Sequence, residues 1–143
     1  MISFSQFLNE QTITEDPELI AKDRESNYGQ ELILDIHEVP KNVFDKKFVR
    51  EFVEKLCDEI EMKRGPNYLW GDAGENLKDP KADGISCVQF LYSSSITIHA
   101  IDKLQKVFIN IFSCRNFDAD KARQFVTDNL GGTIVAEHNI TRK

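Results

Sequence analysis

Cysteine, proline and tryptophan are scarce in this chain of 143 residues, which holds three, four and one of them. The cysteines Cys57, Cys87 and Cys114 are odd in number and widely spaced, and no CxxC pair occurs. This pattern indicates neither a disulfide framework nor a zinc knuckle, and we expect no metal site. Because free thiols are typical of a reducing compartment, we expect a cytoplasmic protein.

Long apolar runs and basic runs are also absent. No apolar segment approaches the roughly 20 residues that span a bilayer, and the first residues, MISFSQFLNEQ, lack the basic start and apolar centre of a signal peptide. The net charge of −6 disfavours a nucleic-acid partner. The glycine fingerprints GxGxxG and GxxxxGK[ST] do not occur, so no phosphate-binding loop is indicated. We therefore expect one soluble domain that binds neither nucleic acid nor membrane.

Residues 84–114 carry the clearest structural pattern. Valine, isoleucine and phenylalanine alternate there with polar residues, as in half-buried strands. The alternation places His99 on the face opposite to Ile96 and Ile98. We predict three strands in this stretch, at 85–92, 96–101 and 106–113.

The flanking segments predict two further strand–helix units. Apolar residues recur at helical spacing over 45–62, with Gly65 and Pro66 closing that helix, and again over 117–130, with Asp118 as its N-cap. We predict further strands at 31–39, 67–70 and 133–140, and a polar loop at 71–83. We interpret residues 1–30 as an N-terminal arm with one or two helical turns at 2–9.

The predicted fold class is α+β. Two similar β-α-β halves would form an antiparallel sheet with two helices packed on one face. The other face of the sheet would then lack a covering layer, and dimerisation is the simplest way to cover it.

Chemically active side chains concentrate in the central stretch. Ser93, Ser94 and Ser95 stand where its first two strands meet, His99 lies on the second strand, and Cys114 follows the third. A hydroxyl, an imidazole and a thiol offer a nucleophile, a base and an acid on adjacent strands. Taken singly, each residue also has an ordinary structural interpretation. The serines could form a turn, the histidine could be a hydrogen-bonded structural residue, and the cysteine could be a small buried side chain.

Three segments of this stretch, GISCVQFLY, SSSITIH and FSC, resemble the prokaryotic type of S-adenosylmethionine decarboxylase proenzymes. The following helix, FDADKARQFV, and the opening strand and helix agree with that family in pattern. The resemblance covers residues 31–143, so we expect the family domain there and an added arm at residues 1–30.

The resemblance implies a self-processing reaction. In that family an internal serine attacks the carbonyl of the preceding residue, and the resulting ester breaks by β-elimination. The matching serine is Ser94, which implies cleavage between Ser93 and Ser94 and a pyruvoyl group made from Ser94 that forms a Schiff base with the substrate. His99 matches the histidine that accepts the processing proton, Ser86 matches a serine that supports processing, and Cys114 matches the proton donor in decarboxylation.

The same resemblance implies the biological activity. It describes a zymogen that cleaves itself and becomes a carboxy-lyase acting on S-adenosylmethionine for spermidine, and hence polyamine, biosynthesis. It further implies a cytoplasmic homodimer with active sites near the subunit interface.

The residue before the reactive serine departs from the family pattern. Many members have glutamate there, whereas this chain has Ser93 preceded by Tyr92. Two alternatives stay open: a pyruvoyl decarboxylase of another amino acid, such as arginine or ornithine, and a non-processing relative that binds a ligand or regulates an active homologue.

Overall fold

A computed structural model describes Ser3 and residues 14–143 of the chain. This part contains three helices: α1 (Pro17–Arg24), α2 (Lys46–Glu59) and α3 (Ala119–Leu130). Its six strands are β1 (Gly29–His37), β2 (Arg64–Trp70), β3 (Ile85–Leu91), β4 (Ser94–Ile101), β5 (Lys106–Ser113) and β6 (Thr133–Arg142). Short 3-10 helices lie at Lys41–Val43 and Asp102–Leu104. None of the described helices is long and apolar enough to cross a membrane.

The six strands form one antiparallel sheet in the order β2-β3-β4-β5-β1-β6. Helix α2 connects β1 to β2, and α3 connects β5 to β6, so two β-α-β passages share the sheet. The predicted α+β class and the antiparallel sheet are therefore confirmed. The strand predicted over 106–113 has the bounds that the structure gives β5.

One face of the sheet forms the core together with α2 and α3. Alternate residues of the central strands are buried on that face, and the apolar stripe of α2 lies against them. The fully buried members include Leu32, Leu34, Ile98, Ile109 and Leu56. The helices cover only this face, so the opposite face, called the open face below, stays without a helical layer in the described part of the chain.

Helix α2 ends earlier than the sequence predicted. Glu61 adopts a left-handed backbone with a φ of 59°, and Met62 N donates a hydrogen bond to Cys57 O at 2.8 Å. This is the Schellman arrangement, which normally has glycine at the left-handed position. The expectation that Gly65 and Pro66 close the helix was therefore wrong, because both lie within β2.

The N-terminal arm contains a helix that the sequence analysis did not place. Asp16 caps α1 by accepting a hydrogen bond from Leu19 N, and Pro17 occupies its first turn, but the helix has no buried residue. The turns expected at 2–9 lie outside the described residues. The strand predicted to begin at residue 31 begins at Gly29. The domain boundary at 30/31 stays a prediction.

Candidate active site

Ser94 and Cys114 meet at one end of the sheet. Ser94 is the first residue of β4 and Cys114 directly follows β5, its antiparallel neighbour. The backbone N–H of Cys114 donates to Ser94 Oγ at 3.0 Å, and the Cys114 thiol points to the carbonyl oxygen of Tyr92 at 3.7 Å. The β4–β5 register thus brings together two residues that stand 20 positions apart in the sequence.

A cleft of about 450 Å³ opens beside this pair. The end of α2, the β3–β4 turn and the segment after β5 form its walls. Its charged lining residues are Glu61, Lys63 and Arg115, and Met62, Tyr92 and Phe117 contribute apolar surface. A cleft of this size suits a small-molecule ligand, and mixed polar and apolar walls are usual in such sites.

Ser86 and His99 form a second pair on the open face. They are cross-strand partners in the β3–β4 ladder, and Ser86 Oγ lies 2.7 Å from His99 Nδ1. Gly84 permits this pairing, because a Cβ at that position would lie 2.1 Å from Ala100 O. When His99 Nδ1–H donates to the hydroxyl, Nε2 carries no proton and is free to accept one. This geometry suits a general base that is oriented by a serine.

The two pairs do not meet within one chain. Ser94 and His99 are five residues apart on the same strand, which corresponds to about 16 Å. Strand alternation also places Ser94 on the side of buried Ile96, whereas His99 is on the open face. With β4 extended, His99 of a single copy therefore lies away from the Ser93–Ser94 peptide bond.

The other two cysteines are structural. Cys57 on α2 and Cys87 on β3 are buried in the core. Burial raises the pKa of the Cys57 thiol to about 12 and that of Cys87 to about 11, because the thiolate loses its solvation. Cys57 belongs to the buried stripe of α2, and Cys114 is the cysteine in contact with the cleft.

Trp70 lies beside the Ser86–His99 pair. It is the cross-strand partner of Ser86 on edge strand β2, and 84% of its surface is exposed. Trp70 is therefore not part of the core of its own chain, because the open face on which it lies has no helical cover in the described part of the chain. Tyr68 and Phe90 are exposed on the same face and contact each other edge to face.

A second cavity of about 580 Å³ lies where β4 ends. Asp102, just after β4, accepts a hydrogen bond from Gly74 N at 2.9 Å, and fully buried Asp83 accepts one from Leu77 N at 3.3 Å. Lys103 Nζ lies 3.5 Å from Asp83. These contacts fasten the loop that leads into β3 and Ser86. Within the described part of the chain, no three histidine, cysteine or acidic side chains are grouped as a metal site.

Comparison with known proteins agrees with the fold. The family model described as S-adenosylmethionine decarboxylase matches residues 30–143. The chain belongs to this family. The family match confirms the resemblance seen in the sequence. The S-adenosylmethionine decarboxylase family consists of pyruvoyl-dependent carboxy-lyases.

A solved structure shows the same fold. The crystal structure of the adenosylmethionine decarboxylase from Aquifex aeolicus VF5 superimposes with a TM-score of 0.65 at 16% identity, covering 82% of this chain and 92% of that chain. Among curated proteins no sequence matches the chain.

Sequence reasoning missed the walls of the cleft. Arg115 directly follows Cys114, and this adjacency could have singled it out. Glu61 and Lys63 could not have been found from the sequence, because they reach the cleft only through the way α2 packs beside the β3–β4 turn.

Proposed function

We propose that this chain is a self-processing, pyruvoyl-dependent decarboxylase of S-adenosylmethionine that serves spermidine biosynthesis. The observation that carries the proposal is that four residues form two contacting pairs. Ser94 and Cys114 share a cleft, and Ser86 orients His99. One pair holds the nucleophile and the proton donor, and the other holds an oriented base.

The processing chemistry follows from these groups. Ser94 Oγ bonds to the carbonyl carbon of Ser93, the peptide C–N bond breaks, and the hydroxyl proton moves to the nitrogen of residue 94. His99 then takes the α-proton of residue 94, the Cβ–Oγ bond breaks, and Ser93 leaves as a carboxylate. Addition of water and loss of ammonia convert residue 94 into the pyruvoyl group.

The residues around Ser94 fit this group and the reaction it serves. A pyruvoyl group supplies the carbonyl that accepts electrons as carbon dioxide leaves the substrate. Cys114 lies beside residue 94 on the wall of the cleft, where its thiol can return a proton to the substrate carbon. The cleft can hold a substrate of the size of S-adenosylmethionine.

A homodimer is part of the proposal, because one copy keeps the two pairs about 16 Å apart. The open face has no helical cover in the described part of the chain, and it exposes Tyr68, Trp70 and Phe90. Two copies packed through their open faces with opposed strand directions would bring the Ser94 end of one near the His99 end of the other. Sheet-on-sheet packing of this kind buries apolar faces.

Intact mass under denaturing conditions tests the proposal. We expect two fragments, residues 1–93 and a pyruvoyl-terminated 94–143, and no cleavage in Ser94→Ala. Ser95→Ala is the matched control, because it removes the neighbouring hydroxyl and should leave cleavage intact. A full-length species that stays uncut on long incubation would contradict the proposal and favour a non-processing relative.

Release of labelled carbon dioxide then identifies the substrate. The cleaved protein is expected to release it from carboxyl-labelled S-adenosylmethionine and not from arginine or ornithine. Release from arginine or ornithine would support pyruvoyl-dependent decarboxylation but would identify a different substrate.

A further inference from the structure

Ser93 has an unfavourable backbone conformation. Its φ is +47°, in the left-handed region, where the Cβ of an L-residue crowds the following carbonyl oxygen. Asparagine and aspartate tolerate this region because their side chains can bond to the local backbone. In the part of the chain that the structure describes, the Ser93 hydroxyl has no hydrogen bond that would offset the cost.

The surroundings of Ser93 impose this conformation. Leu91 pairs with Ser94 in the β3–β4 ladder, so the chain reverses through Tyr92 and Ser93 alone. After Ser93, Ser94 Oγ accepts a hydrogen bond from the backbone N–H of Cys114. Before Ser93, the carbonyl oxygen of Tyr92 contacts the Cys114 thiol. Strained residues persist where their neighbours fix them, and they concentrate at functional sites.

We propose that the left-handed strain at Ser93 drives the first step of self-processing. Ser93 carries the carbonyl that Ser94 Oγ attacks, and its conformation is freed once the Ser93–Ser94 C–N bond breaks. Strain present in the intact chain and lost in the cleaved chain favours cleavage. This inference rests on the proposed self-processing and assigns Ser93 a positioning role through its backbone.

Substitutions at position 93 separate strain from side-chain chemistry. Ser93→Gly removes the Cβ and with it the strain, whereas Ser93→Ala removes the hydroxyl and keeps the Cβ. Ser93→Asn tolerates the left-handed region without the flexibility of glycine. We expect the rate of cleavage to rise in the order Gly, Asn, Ala. Glycine should be about 5- to 30-fold slower than alanine, the equivalent of about 1–2 kcal/mol.

The experiment follows the cleavage of freshly synthesised full-length chains by intact mass over time. The same three changes are also made in the Ser94→Ala chain, which cannot be cut, and the melting temperature is measured. Strain relief predicts the opposite order there, with glycine the most stable and alanine the least. This second readout detects the strain without depending on catalysis.

The outcomes separate the two proposals. Cleavage at equal rates in all three variants, or fastest in glycine, would overturn the role of strain and leave self-processing intact. Melting temperatures in which glycine is the least stable would overturn the strain itself. No cleavage of the unsubstituted chain or of any variant would overturn both proposals.

Discussion

The three thiols differ in environment, and that difference predicts their reactivity. Thiolates are the reactive form, and burial raises the pKa values of Cys57 and Cys87 to about 12 and about 11. Both stay protonated and enclosed at neutral pH, whereas Cys114 is half-buried and lines the cleft.

We therefore expect iodoacetamide at pH 8 to add one label to the native protein, at Cys114. Peptide mapping of the alkylated protein locates the label, and Cys114→Ser should remove it. Unfolding in denaturant should expose all three thiols and serves as the control. Labelling of Cys57 or Cys87 in the native protein would contradict this account of the core.

In the proposed mechanism Ser86 acts through His99, so substitutions of Ser86 test the second pair. Ser86→Ala removes the hydroxyl that holds Nδ1 at 2.7 Å. We expect cleavage to slow by about 10- to 100-fold, within the range that a positioned proton acceptor contributes. Ser86→Thr keeps the hydroxyl and should restore most of the rate, while the melting temperatures of the two variants stay close. Equal rates in the alanine and threonine variants would leave Ser86 with a packing role.

At the scale of elements, an ion pair ties α3 to strand β6. Arg123 contacts Glu137 with two nitrogens, and the hydrogen bond from Arg123 lowers the pKa of Glu137 below its ordinary value. Because the folded pKa lies below the unfolded one, the pair stabilises the fold fully above about pH 4, the ordinary range of a carboxyl group. This contribution to the free energy of unfolding is lost as the pH falls through the lowered pKa that Glu137 has in the folded protein.

We expect Glu137→Gln to lower the free energy of unfolding at pH 7 by less than about 1 kcal/mol, because both side chains are partly exposed and solvent screens the pair. The difference from the unsubstituted protein should shrink as the pH drops below 4, which melting curves measured at a series of pH values will check. Glu59→Gln on α2, where Glu59 has no ion pair with any described residue, is the control. A difference that grows in acid would have the wrong sign for this mechanism.

Local patterns predicted the elements well and their ends less well. The alternation in β5 and the N-cap Asp118 are properties of a few neighbouring residues, and the structure has both in place. The end of α2 depends on Glu61 taking a conformation that glycine usually takes, which no local signal predicts. Likewise, the contact between Ser94 and Cys114 depends on the β4–β5 register, a non-local property.

At the scale of the whole molecule, the groups proposed to act in processing lie at two ends of the sheet, with Ser94 at one end and His99 towards the other. The family resemblance identified the residue types and their spacing, but spacing alone does not state which chain supplies each residue. Ser94 and His99 stand five positions apart on one extended strand, so we expect the base to come from another copy. The open face, with its exposed aromatic side chains, is where that copy is expected to pack.

Subunit complementation decides whether the site is shared. Neither Ser94→Ala nor His99→Ala should be cleaved alone, because each lacks one group. When equal amounts are produced together in one cell, a mixed dimer contains one complete site, formed by Ser94 of the His99→Ala chain and His99 of the Ser94→Ala chain. Roughly half of the His99→Ala chains should then be cleaved, as random pairing into dimers predicts.

Only the His99→Ala chain is expected to be cut, and intact mass distinguishes the two chains. A partner that carries both substitutions is the control, because it supplies neither group and should restore nothing. If the mixture stays uncut although size-exclusion chromatography shows mixed dimers, His99 acts within its own chain. Strand β4 would then have to rearrange, because its extended geometry keeps His99 away from the Ser93–Ser94 bond. Cleavage of the His99→Ala chain would instead show that the extended strand is compatible with processing, with the partner supplying the base.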